Sequence, residues 1–430
     1  VKRWFQERWF QERWFQERWF QNIRFQERWT RKKLSHIHNL HDVERLARGK
    51  LPRPIFGYID HVAEDGRTHR ANLTAFDKYC FLPKAFVNVS KIDLQTELYG
   101  IRYAVPFGIA PMGISGLSAY QGDLVLARAA AERNLPMIMS GSSLVPMEDV
   151  AKVEGADWFQ AYLPGTPEGI EALLERIKRA GFKKLVVTLD YPVPPNPDNL
   201  RRSGFSSPLE PSLRLAFDGL MRPGWLCNTF LRTLWKHGMP HFENNHAERG
   251  APMISRKAAR DFSGRRHFDW GYLDLVRRLW PDTLIVKGIL NPDDAVRAHQ
   301  AGVDGIILSN HGARQLDCTI SPLQVLPEVK RRVSGIPIMI DSGFRRGTDV
   351  IKALALGADF VFMGRPFNYA AAYAGQAGVE HIADLLQREI ERNMALLGLT
   401  SLSQLDRSCL YQPPTADALQ PLAQMAEDVR

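Results

Sequence analysis

The chain has 430 residues, enough for one large domain or two to three ordinary ones. Its 45% hydrophobic and 24% charged residues lie near globular averages and exclude wholesale disorder, and no apolar run approaches the roughly eighteen residues of a spanning helix. Of the formal net charge of +9, residues 1–33 carry +6 through ten Lys/Arg against four Glu, leaving +3 for the other 397. The body is therefore not expected to bind nucleic acid. Four cysteines (Cys80, Cys227, Cys318, Cys409) are too few and too scattered for a disulfide framework or a zinc knuckle. No His/Cys/Glu cluster has metal-ligand spacing, so no metal is expected. Without an apolar leader and small-residue cleavage site at the start, the expected compartment is reducing and cytoplasmic.

Residues 1–29 repeat the unit Arg-Trp-Phe-Gln-Glu with one variant and hold five of the ten Trp. A five-residue period turns successive Trp-Phe pairs by about 140° around a helix and flips them between faces of a strand, so no single apolar stripe forms. Alternating Arg and aromatic residues would suit a membrane or nucleic-acid tether. Because the period gives no one-faced structure, residues 1–35 are expected to be a low-complexity tail without a role.

From Val105 onward, short apolar runs alternate with helix-like stretches. The runs are 105–111, 136–141, 157–163, 184–190, 283–289, 304–310, 336–342 and 359–365. Several are apolar almost throughout, as in a parallel sheet covered on both faces. Helical stretches such as 122–134, 167–181 and 347–358 lie between them. Eight such units predict an α/β fold, a (β/α)8 TIM barrel over residues 36–412, with 413–430 as a C-terminal tail. A doubly wound sheet is the alternative, but no GxGxxG follows the first strand.

One connection breaks the rhythm. Some eighty residues separate Asp190 from about Gly271, and a loop of that length (191–270) is expected to be a lid or a partner contact. Within it, 213–242 mixes apolar bulk with Arg214, Arg222, Arg232 and Lys236 against one acid, Asp218. Such a basic amphipathic segment suits a bilayer interface, a lid or a subunit contact.

Barrel enzymes place their chemistry at the C-terminal ends of the strands. There the sequence offers Ser140, Gln160, Tyr162, Thr188, Asp190, Lys287, Ser309, His311, Asp341, Gly364 and Arg365. The seventh and eighth strands end in DSGFRRG (341–347) and GRP (364–366). Glycines there let backbone N–H groups close on a phosphate, Arg345 or Arg365 supplies charge, and a helix starting near Thr348 is expected to add its dipole. After the sixth strand, His311 can take a proton and Arg314 can grip a carboxylate in bidentate fashion. Asp190 can orient the imidazole, and Lys287 can hold negative charge on a bound ring system.

SNHGARQ (309–315) resembles the active-site signature of the FMN-dependent L-2-hydroxy-acid dehydrogenase and oxidase family. KLPRPIFGYID (50–60), GIAPMG (108–113), WFQAYL (158–163), VTLDYP (187–192), VKGIL (286–290) and 341–366 extend the resemblance from about Leu40 to about Tyr411. LDC (316–318), ISP (320–322), RPGW (222–225) and HGMP (237–240) look closest to the mandelate/lactate dehydrogenase branch. The resemblance implies FMN at the barrel mouth. Met112 and Gly113 would lie along the flavin, and Ser140, Gln160 and Thr188 would bond its ring. Lys287 would sit at the N1/O2 edge, followed by Ser309. Asp341, Gly343, Arg345, Gly364 and Arg365 would take the ribityl and phosphate. His311 would be the base, Asp190 its partner and Tyr162 a hydroxyl donor, with Arg314 and Tyr58 on the substrate carboxylate. The implied reaction oxidises an L-2-hydroxy acid, lactate- or mandelate-like, to the 2-oxo acid.

The acceptor implied is oxygen, a quinone or a cytochrome. The basic excursion and the branch resemblance favour a quinone, with the chain peripheral on the inner face of a membrane and tetrameric like its family. No CxxCH is present, so no covalent c-type haem is expected.

Three departures stand out. Pro197 occupies the place of the family's second substrate arginine, where Arg201 or Arg202 would have to substitute. Without one, a charged contact of about 1.5–3 kcal/mol is lost, and a flavin-binding protein with impaired turnover is the alternative. His61 and Val62 replace a Gly pair before Ala63-Glu64-Asp65. Ser142 replaces the bulky aromatic of glycolate oxidases, which would enlarge the substrate pocket.

Overall fold

The computed structural model describes residues 32–206, 210, 212–255 and 265–412. Eight short parallel strands each fall inside one of the apolar runs: β1 (Phe107–Ile109), β2 (Ile138–Ser140), β3 (Trp158–Ala161), β4 (Lys184–Thr188), β5 (Thr283–Ile289), β6 (Gly305–Leu308), β7 (Ile338–Ile340) and β8 (Phe360–Met363). They pair in sequence order, β8 pairs with β1, and a parallel bridge between Ile109 and Met137 joins β1 to the start of β2. The ring closes into the expected barrel, not a doubly wound sheet.

Side chains alternate along each strand. Ile138, Trp158, Val186, Ile285, Ile307, Met339, Phe360 and Phe362 form one buried cluster inside the ring. Their neighbours Met139, Phe159, Val187, Val286, Leu308, Ile340 and Val361 pack outward into the larger core beneath the helices. A hairpin of Thr96–Leu98 and Ile101–Tyr103 plugs the N-terminal end of the barrel. Tyr99 packs 5.6 Å from Trp158 and Tyr103 packs 6.0 Å from Phe360, ring to ring.

The outer helices form for ordinary reasons. Pro167–Ala180 starts at Thr166, whose hydroxyl accepts from the Gly169 N–H at 3.2 Å, with Pro167 at the first helical position. It buries Ile170, Leu173, Leu174 and Ile177 on one stripe, worth about 1.5–3 kcal/mol each. Leu34 and Ile37 are also buried, so the packed body begins near residue 34.

The excursion after β4 contains helices Asp198–Ser203 and Leu213–Leu220, then a continuous helical run from Pro223 to His237 with a π-helical middle, Leu226–Leu231. Trp225 anchors this run: it is buried and donates its indole N–H to the Leu117 carbonyl at 2.7 Å. Leu213, Phe217, Leu220 and Met221 of the preceding helix and its C-cap, with Leu231 and Trp235 of this run, are exposed. Among the described residues no helix is long and apolar enough to cross a membrane. The pentapeptide repeat and the tail at 413–430 lie outside the described residues.

Candidate active site

The barrel's alternation places the chemistry. Two residues beyond an interior apolar side chain, six of the eight strands, β2 to β7, present a polar next inward position: Ser140 above Ile138, Gln160 above Trp158, Thr188 above Val186, Lys287 above Ile285, Ser309 above Ile307 and Asp341 above Met339. These positions ring a cavity of about 690 Å³ at the C-terminal mouth, and all but Ser309 line it directly. Tyr58, Met112, Gly113, Tyr162, His311, Arg314, Gly343, Arg345, Gly364 and Arg365 line the same cavity.

The groups are connected. The Ser140 hydroxyl donates to Gln160 Oε1 at 3.1 Å, and Gln160 Nε2 donates to the Thr188 hydroxyl at 2.9 Å, a relay across three adjacent strands. Lys287 is buried, donates to Ser309 Oγ at 2.8 Å and lies 3.0 Å from Asp341 Oδ2. Ser309 Oγ also accepts from the His311 backbone N–H at 3.0 Å, fixing the start of the loop that carries the histidine. That loop turns through left-handed backbone at His311, Gly312 and Ala313.

His311 Nδ1 is 2.9 Å from Asp190 Oδ1, and Tyr162 Oη is 3.3 Å from Nε2. Burial alone would raise the Asp190 carboxyl. Attraction to His311, their hydrogen bond and the nearby Lys287 hold it below the usual carboxylate range instead. The approach of Asp190 depends on Gly288, where a bulge interrupts β5 at φ +102°: a Cβ there would come within 2.6 Å of the Asp190 carboxyl carbon.

Two arginines are held by the end of one helix. Arg53–Asp60 terminates at the cavity, where its last carbonyls have no intrahelical partner. Arg314 Nη1 donates to the Tyr58 and Ile59 carbonyls at 2.8 and 3.1 Å and lies over the Tyr58 ring at 4.9 Å. Arg365 donates to the Ile59 and His61 carbonyls at 3.1 and 2.7 Å. Burial, with Arg314 and Arg345 nearby, pulls the Arg365 guanidinium down to about 10. Burial, with Arg314 and Arg365 nearby, pushes the His61 imidazole down to about 3. Such a concentration of positive charge suits an anionic ligand.

A family model described as FMN-dependent dehydrogenase matches residues 47–412. The chain belongs to that family. It is 37% identical to (S)-mandelate dehydrogenase of Pseudomonas putida over 372 residues, 86% of this chain and 93% of that protein. It is 38% identical to L-lactate dehydrogenase of Xanthomonas axonopodis pv. citri over 391 residues, 88% of this chain and 98% of that protein. The crystal structure of the monotopic membrane protein (S)-mandelate dehydrogenase superposes with a TM-score of 0.79 at 34% identity, covering 88% of this chain and all of that one.

Membership of this family makes the chain an FMN-dependent 2-hydroxy-acid oxidoreductase, and the cavity fits the cofactor. It combines apolar Met112, an amide and two hydroxyls for ring polar atoms, one buried lysine, and arginines beside the glycines at 343 and 364. A Cβ at Gly364 would crowd Met112 at 3.3 Å, and one at Gly343 would meet the Asn72 carbonyl at 2.6 Å. The helix after β7 runs from Gly347 to Ala355, close to the expected start. Asp349 accepts from the Arg345 and Arg346 amides, and Glu389 accepts from that of Gly347.

Sequence reasoning missed Tyr191 and Gln315. Tyr191 lines the cavity, its ring 5.6 Å from that of Tyr162 and 6.1 Å from that of His311. Gln315 donates to the Asp190 carbonyl at 2.8 Å. Each stood beside a residue already singled out, Asp190 in one case and the end of SNHGARQ in the other.

Proposed function

We propose that this enzyme oxidises an L-2-hydroxy acid of lactate or mandelate type to the 2-oxo acid, with His311 as base. The observation that carries this reading is the His311–Asp190 pair, with Tyr162 on the other ring nitrogen and Arg314 in the same cavity. Met112, Gly113, Ser140, Gln160, Thr188, Lys287 and Ser309 would hold the flavin ring. Asp341, Gly343, Arg345, Gly364 and Arg365 would hold the ribityl chain and phosphate. When bound, FMN supplies a two-electron acceptor.

The residues of the chain do the rest. Asp190 accepts the Nδ1–H of His311, which leaves Nε2 unprotonated and aimed toward Tyr162 and the cavity. Arg314, oriented by the Tyr58 and Ile59 carbonyls, takes the substrate carboxylate, and Tyr58 presents its ring beneath the guanidinium. Nε2 then receives one of the two protons that the substrate loses, and the other would leave with the two electrons to the acceptor that FMN supplies when bound. Asp190 stabilises the imidazolium, and Tyr162 donates a hydrogen bond to the substrate oxygen. Lys287 holds positive charge where negative charge would build up on the bound ring. The test is product identity: one equivalent of 2-oxo acid should form per two electrons delivered to a soluble dye. Dye reduction without an oxo acid would overturn the assignment.

Electrons then pass to a quinone or another acceptor. A membrane surface is supported by the apolar side of the excursion, where Phe217, Leu220, Met221 and Trp235 are exposed beside Arg222, Arg232 and Lys236. A second reading, a flavin binder with impaired turnover, rests on Pro197, which lines the cavity where an arginine is expected.

A further inference from the structure

Two arginines follow Pro197, and the structure separates them. Pro197 is the N-cap residue of helix Asp198–Ser203, so Arg201, four residues on, lies one turn further along the same face. That displacement is about 6 Å along the axis. Pro197, Leu200 and Arg201 all line the cavity. Arg202 does not: its guanidinium donates to Asn199 Oδ1 at 3.3 Å, and its carbonyl accepts from Arg53 at 3.0 Å.

The orientation of this helix is fixed by its contacts. Asn199 Nδ2 donates to the Val62 and Glu64 carbonyls, both at 2.8 Å. Phe205 packs on Tyr58 at 4.7 Å. Gly57 lets Ser203 approach so closely that a Cβ at Gly57 would lie 2.3 Å from the Ser203 Cβ. The surfaces that position Tyr58 therefore also decide which face of the helix looks into the cavity. Among the described residues the Arg201 guanidinium has no hydrogen-bond or ion-pair partner. Arg314, by contrast, already shares Nη1 between two carbonyls.

We propose that Arg201 is the second substrate-carboxylate arginine of this enzyme, displaced by one helical turn from the place that Pro197 fills. The inference rests on the 2-hydroxy-acid reading above and removes the ground for impaired turnover. A guanidinium on a side chain this long can recover a one-turn displacement, and its planar fork can face a carboxylate opposite that of Arg314.

The test uses the FMN-loaded full chain, with phenylacetate as an unreactive carboxylate and phenylacetamide as its neutral counterpart, both titrated through the flavin absorbance. Arg201→Gln should weaken phenylacetate binding by about ten- to a hundredfold and leave phenylacetamide within about twofold. Arg202→Gln should leave both unchanged. Pro197→Arg added to Arg201→Gln should restore most of the lost affinity. Retained flavin and an unchanged melting temperature show that each variant is folded. If the wild type responds and Arg201→Gln binds phenylacetate as tightly, the inference fails and the 2-hydroxy-acid reading stands. If Arg202→Gln loses as much as Arg201→Gln, the assignment of Arg201 also fails. If the wild-type flavin responds to no carboxylate and no hydroxy acid, both fall together.

Discussion

His311, proposed as the base, rests on a short chain of contacts, and each link predicts a loss. Replacing His311 with Gln should slow flavin reduction by about 10²–10⁴-fold while FMN stays bound, because general-base assistance is removed and the phosphate and ring contacts are not. Rapid-mixing absorbance checks this, and reduction at near wild-type speed would show that another group takes the proton. Asp190→Asn should also slow reduction sharply, since an amide cannot stabilise the imidazolium. The roles of these two residues were open to expectation because each ends an apolar strand, and polar groups in that position have little to do with folding. What the sequence could not supply was the alternation that makes Ser140, Gln160, Thr188, Lys287, Ser309 and Asp341 one inward-facing layer. That layer depends on the register between strands, which no single strand encodes. Tyr191 escaped notice for the same reason: its neighbours, Tyr162 and His311, come from other loops.

At the scale of elements, the site depends on helix ends that are completed from elsewhere in the chain. Helix Arg67–Thr74 begins at Gly66, which has no side chain to cap it. Asp317, just after the SNHGARQ loop, accepts from the Thr68 and Arg67 amides at 2.7 and 3.1 Å. Burial opposes ionisation there, but the hydrogen bonds from Thr68, Arg67 and Cys318 hold its carboxyl down at about 2. Its folded value lies below the unfolded one, so its stabilising contribution is present above about pH 4 and is lost as pH falls toward 2. Asp317→Ala should cost about 0.5–2 kcal/mol at pH 7, and the gap to wild type should narrow at pH 3. Denaturant unfolding at the two pH values checks this; a gap that widens in acid would contradict it. The helix after β7 is completed in the same way. A run of Gly and Arg signals a helix start, but which carboxylate caps it is decided by packing. Here Glu389 comes from the long helix Arg365–Leu397.

The whole molecule is a barrel with one added surface. Eight strands and their order were legible because a covered parallel sheet needs apolar runs, and those runs are hard to mistake at this spacing. The excursion was legible as an interruption, but its docking was not. Trp225 turns inward to Leu117, while Phe217 and Trp235, also aromatic, remain outside. That division predicts that deleting 213–242 releases the protein from membranes and leaves turnover with a soluble dye intact. Replacing Phe217, Leu220, Met221 and Trp235 with Ser should do the same without removing the Trp225 anchor. Membrane flotation checks both, and continued binding by either variant would contradict the assigned face.

If the proposed reaction is right, a 2-hydroxy acid passes its electrons to FMN while His311 takes a proton. The most direct test is the anaerobic absorbance spectrum of the purified protein before and after L-lactate, and then (S)-mandelate. A yellow protein should bleach, faster with the substrate that better fits the space beside Ser142 and Tyr191. A yellow colour that persists with every L-2-hydroxy acid would contradict it and leave flavin binding alone.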